Sequence, residues 1–128
     1  MQNTMNGLYH LASQAKNVHW NVTGPSFYGI HKICDEVDEV VRGLGDRVAE
    51  HMRFMNQMPM IEHDPSLTTV PKTSNAIALV DTLLEILDDV YSTAESDRKG
   101  ADSSEKAIID DIQEELGKFI YFLRSFEL

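Results

Sequence analysis

Five residues in the first half of the chain are of types that hold divalent metal ions: His19, His31, Asp35, Asp46 and Glu50. Imidazole nitrogen combined with carboxylate oxygen suits a divalent transition metal such as iron. Four of them fall on one predicted helix. At about 100° per residue, with His31 at zero, Asp35 lies near 40°, Asp46 near 60° and Glu50 near 100°, so all four share a side. A rise of about 1.5 Å per residue sets His31/Asp35 and Asp46/Glu50 some 16 Å or more apart, too far for one centre whose bonds are near 2 Å. Within one chain the row is therefore two half-sites. They close if two copies of the helix run antiparallel and cross near residues 40 and 41. A two-fold axis there would generate two equivalent shared sites. Gly43 and Gly45 lie near that crossing, where absent side chains would ease the approach. Acidic residues at helical spacing also make an ordinary solvated face, and spacing alone does not choose between the two.

Positioning such residues falls to four segments of helical periodicity. The first carries Met5, Leu8, Ala12, Ala15, His19 and Val22 on one stripe, and Thr23-Gly24-Pro25-Ser26 ends it, with Ser26 placed to cap the next helix. The second runs Phe27, Ile30, Cys34, Val37, Val41, Leu44, Val48, Met52 and Met55. It is expected to pass unbroken through Gly43 and Gly45, although each glycine costs a helix about 1 kcal/mol relative to alanine. A loop with three prolines spans about Pro59 to Lys72. The third stripe is Ile77, Val80, Leu84, Leu87 and Tyr91. The fourth, after Gly100, is Ile108, Ile112, Leu116, Phe119, Phe122 or Leu123, and Phe126. An all-α four-helix bundle is expected, one domain over residues 1–128. Its long connection between helices two and three either crosses the bundle or forms a slack hairpin.

Composition removes several function classes. The chain has 128 residues and a formal charge of −10, from 21 acidic and 11 basic residues. Such a surface repels nucleic-acid phosphates unless a basic patch overrides it, and the only adjacent basic pair is Arg98-Lys99. No stretch approaches the roughly 18 apolar residues of a membrane span. A single cysteine, Cys34, precludes an internal disulfide and is expected to be a buried thiol. Residues 1–5 lack the basic start and apolar run of a secretion signal, so a cytoplasmic location is expected. A di-iron centre within one bundle would need Glu-x-x-His pairs on two helices, and the chain contains none. Glu62-His63-Asp64 reads as a solvated loop, His51 as structural, and Met52, Met55 and Met58 as core spacing. Asp38, Glu39 and Arg42 lie where ion pairs between copies would form.

His19-Trp20-Asn21-Val22-Thr23-Gly24-Pro25-Ser26-Phe27, then His31, Asp35, Asp46 and Ala49-Glu50, resembles the signature of the Dps miniferritins, the DNA-binding proteins from starved cells. The resemblance runs in register over roughly residues 15 to 58, and Lys118-Phe119-Ile120-Tyr121-Phe122 resembles the family's last helix. It implies a ferritin-like bundle assembled from two-fold dimers into a hollow dodecamer, with a ferroxidase centre at each dimer interface. Asp46 and Glu50 would bind iron from one subunit. His19 and His31 would come from its mate, His31 through water, with Asp35 completing or orienting the second metal position. Trp20 would sit alongside as an electron donor. Fe(II) would be oxidised by hydrogen peroxide in preference to oxygen, the ferric product stored in the shell, and the cell protected from oxidative damage. Several features depart from the family. The basic tails that many members use on DNA are absent, so direct DNA binding is not expected. The small helix between helices two and three is reduced to the proline-containing loop. The aspartates of the iron-entry pores align poorly, with Asp97, Asp102 and Glu105 nearest. A DNA-binding nucleoid protein and a catalytically inactive cage are the competing readings.

Overall fold

A computed structural model describes residues 1–128. Four helices account for most of the chain: α1 (Gln2–Asn21), α2 (Phe27–Phe54), α3 (Ala76–Arg98) and α4 (Ser103–Arg124). Their ends obey local chemistry. The α1–α2 turn needs Gly24 at φ +105°, and the α3–α4 turn needs Gly100 at φ +81°, left-handed conformations that a Cβ would strain. The Asn75 side chain accepts from Ala78 N–H and caps α3, and Asp102 accepts from Glu105 N–H and caps α4. Ser26 occupies the position just before α2 but makes no side-chain cap there. The 28-residue α2 is unbroken through Gly43 and Gly45.

Buried residues of all four helices form one apolar cluster. The stripe of α1 is in it as expected, with only His19 partly exposed. The stripe of α3 is rotated from its expected position. Leu79, Val80, Leu83, Ile86, Leu87, Val90 and Ala94 are buried, whereas Ile77 and Tyr91 are exposed. This helix carries two adjacent apolar rows, and only packing decides which faces in. Met52 is buried, but Met55 and Met58 lie at and beyond the end of α2 and are exposed, so core packing extends to one of the three methionines.

Helix α1 packs on α2 and α3, and α4 packs on α3 and α2, which leaves α2 and α3 diagonal across the bundle. The connection between them therefore crosses the bundle, as in ferritin-like folds, rather than folding back as a hairpin. A polar row on α1 guides it. Gln2, Asn6, His10 and Gln14, spaced by four residues on one helix face, bond in turn to the backbone of Met60, Glu62, Thr68 and Val70. Thr23 N–H then donates to Ser74 O at 3.1 Å. The crossover thus runs the length of α1, and the backbone groups of Met60, Glu62, Thr68, Val70 and Ser74 find partners there without forming a helix of their own. Gln14 is only 7% exposed, and its Oε1 accepts from Val70 N–H at 2.8 Å. At the same end of the bundle as Gln2, buried Thr4 donates to Asp97 at 2.5 Å, tying α1 to α3. Asp97 also lies 3.7 Å from the terminal ammonium.

Candidate metal centre

His19 sits in the last turn of α1 and His31 in the first turns of α2, and the tight turn between them folds one ring onto the other. The rings stack at 3.8 Å between centroids with an interplanar angle of 11°. His19 Nδ1 lies 2.6 Å from His31 O, and His31 Nδ1 lies 2.8 Å from His19 O. A carbonyl only accepts, so each Nδ1 carries the proton and donates. The His19 carbonyl is among the last four of α1. The amide that would have reached it, Thr23 N–H, bonds Ser74 instead, so the His31 ring satisfies an orphaned helix-end acceptor. With both Nδ1 atoms committed, both Nε2 lone pairs remain for a metal. This is the tautomer and orientation that a backbone carbonyl behind a metal-binding imidazole enforces. Phe27 covers His31 at 5.0 Å, and Trp20 beside His19 is 66% exposed.

Asp35 lies one turn beyond His31, and its carboxylate meets Lys16 of α1 at 2.7 Å. Lys16 also reaches Asp38 at 3.5 Å, and Arg42 pairs with Asp38 at 2.6 Å. Asp38 and Arg42, two of the residues expected to pair between copies, thus also pair within one chain. The Lys16 hydrogen bond, and its charge, hold the Asp35 carboxyl below the ordinary carboxylate range, with His19 and His31 adding smaller effects. Asp35 is therefore an anion, but one oxygen is engaged by an ammonium. A metal ion entering beside His31 must displace Lys16 to use it. The pair is solvent-exposed, and exchange of such partners is inexpensive.

Asp46 and Glu50 are exposed and form no ion pair or side-chain hydrogen bond within the chain. Because α2 is continuous, the eleven residues from Asp35 to Asp46 span about 16 Å. No three of the five candidate ligands bring their donor atoms close enough for one ion inside a single chain. The structure therefore joins His19 to His31, keeps Asp35 nearby under Lys16, and leaves Asp46 and Glu50 at the far half of α2. Gly45 does not offer its surface to another chain: a Cβ there would come 2.7 Å from Tyr9 Cε2 of α1. Gly43 has nothing within 4 Å. The Glu62-His63-Asp64 segment is a loop whose Asp64 accepts from Ser66 N–H and Oγ, a local turn device. Sequence pattern does not single out Lys16, because its role depends on an α1–α2 contact that no local signal encodes.

A crossed four-helix bundle with a stacked histidine pair and a row of carboxylates on its longest helix defines a class. The chain belongs to the ferritin-like family, whose domain matches residues 1–126. Within that family its similarity is to Dps proteins, as the signature at His19–Glu50 implies. It is 48% identical to the DNA protection during starvation protein of Mycolicibacterium smegmatis over 44 residues, which are 34% of this chain and 24% of that protein. It is 26% identical to the DNA protection during starvation protein of Helicobacter pylori over 125 residues, covering 90% of this chain and 87% of that one. A C-terminal deletion mutant of Mycobacterium smegmatis Dps superposes with a TM-score of 0.86 at 25% identity, covering 98% of this chain and 94% of that one. In the first alignment the chain spans about a quarter of the relative's length. No helix is long and apolar enough to cross a membrane.

Proposed function

We propose that the protein is a miniferritin that oxidises Fe(II) at centres shared between two copies and stores the ferric product inside a shell of twelve. The observation that carries this reading is the division of the ligands. His19 and His31 present free Nε2 atoms at one end of α2, while Asp46 and Glu50 lie unpaired on the other half of the same unbroken helix. Two antiparallel copies bring the histidines of one to the carboxylates of the other. Asp46 and Glu50 then bind one iron with His19 of the mate, and His31, through water, and Asp35 hold the second. Each of two Fe(II) ions gives one electron to hydrogen peroxide. The O–O bond breaks, two protons are taken up, and two waters form. Pairing the electrons avoids the hydroxyl radical that a single Fe(II) would release. Where only one Fe(II) is bound, Trp20, exposed beside His19, supplies the second electron in its place, so that peroxide is still reduced to two waters.

The nucleoid-protein reading has less support. Each copy carries a charge of −10, and Arg98 of the one basic pair is engaged by Glu95 and Asp110. Fe(II) added without oxygen, and then peroxide, tests the main reading through ferric absorbance. Asp46→Ala/Glu50→Ala should lose most of the rate. An unchanged rate in that double variant refutes the site, and firm DNA retention in a low-salt gel shift by the untagged protein refutes the negative expectation for DNA.

A further inference from the structure

We propose that His51, Asp102 and Glu105 form a second divalent-cation site, within one chain and separate from the shared centre. His51 lies near the end of α2, Asp102 caps α4, and Glu105 is in the first turn of α4. One ring nitrogen and one oxygen from each carboxylate all lie within 4.8 Å of one another. Donors bonded to a single ion at about 2.1 Å stand no more than about 4.2 Å apart, so small side-chain rotations close the set. The second observation concerns His51 itself. Its Nε2 is buried and has no hydrogen-bond partner. The residue as a whole is partly exposed, but burying one imidazole nitrogen unsatisfied is costly, and in a native fold such an atom is met by an ion or an ordered water.

The donor chemistry narrows the class. One imidazole and two carboxylates match a borderline divalent transition ion, Zn2+, Co2+ or Fe2+, with water completing the coordination. Asp102 already accepts from Glu105 N–H at 2.8 Å and from Ser104 Oγ at 2.9 Å, both through Oδ1. These bonds fix the carboxylate and leave Oδ2 for an ion. The same two bonds, the Glu105 N–H first, hold the Asp102 carboxyl below the ordinary range, so it is an anion. His51 is next to Glu50 in the chain but projects about 100° further round α2, so the two sites face different directions.

The test is an anaerobic Zn2+ titration of the full chain carrying D46N and E50Q, which disables the shared centre and makes the outcome independent of the iron-oxidation reading. Adding H51Q or E105Q should remove one Zn2+ per chain or weaken that class at least about tenfold. H63Q, which changes an exposed loop histidine, should leave it alone. D102N keeps the α4 cap, since Asn caps as well as Asp, and should weaken Zn2+ binding at an unchanged thermal midpoint. Zn2+ binding that is indifferent to both H51Q and D102N, or equally sensitive to H63Q, overturns the proposal.

Discussion

His19 and His31 are oriented by each other's backbone before any metal arrives, which limits what substitution of their neighbours can do. Lys16 has more influence, because it already holds Asp35 and, under the proposed function, would compete with metal for it. Lys16→Gln should tighten Zn2+ or Fe(II) binding at the second position several-fold while barely moving the thermal midpoint; anaerobic titration reads the first and calorimetry the second. The pH dependence has a defined sign. Asp35 has a depressed folded pKa, so its pairing contributes fully above the unfolded value near 3.9 and is lost as pH falls through the lower folded value. Lys16 is raised, chiefly by its hydrogen bond to Asp35, so its share is present below about 10.4 and fades as pH rises through the folded value. Carboxyl chemical shifts of Asp35 tracked by NMR should therefore titrate upward to the ordinary range in Lys16→Gln. Cys34 is fully buried, and burial pushes its thiol up to about 12. It should resist a thiol reagent at pH 8 in the native protein and react at once in denaturant.

At the scale of elements, the two glycines of α2 have different jobs. A Cβ at position 45 would meet the Tyr9 ring at 2.7, 3.1 and 3.2 Å. Gly45→Ala should therefore cost about 1–3 kcal/mol by overpacking, reduced by about 1 kcal/mol of helix propensity. Gly43 is open. Gly43→Ala should stabilise the isolated helix by up to about 1 kcal/mol, whereas Gly43→Leu should impair association of copies while leaving the helical circular dichroism intact. Comparing thermal midpoints and solution mass for the three variants separates the roles. The helix ends and the continuity of α2 are legible in the sequence because Gly24, Pro25, Gly100 and the apolar period act locally. The facing of α3 is not, because its two apolar rows are equivalent until α1 and α4 choose one. The crossover is undetermined by sequence for the same reason. Its path depends on the polar row Gln2, Asn6, His10 and Gln14, whose partners lie more than fifty residues away. All five ligand candidates stand out by type and spacing. The Lys16 contact and the His51–Asp102–Glu105 cluster do not, since each joins different helices.

At the scale of the whole molecule, α2 is both the bundle's longest helix and the ruler that keeps the two half-sites apart. A break in it would allow the carboxylates to fold toward the histidines; an unbroken helix forbids it. Under the proposed function a working centre therefore requires sharing between copies, and subunit complementation tests that most directly. One variant, His19→Ala/His31→Ala, keeps the carboxylates, and another, Asp46→Ala/Glu50→Ala, keeps the histidines. Each alone should be nearly inactive in peroxide-driven Fe(II) oxidation. Dissociated, mixed in equal amounts and reassembled, half of the two-fold dimers are mixed and each mixed dimer has one intact site of two, so about a quarter of the parent rate should return. Reassembled dimers with no recovered rate, or full rate in either variant alone, would contradict a centre built from two chains.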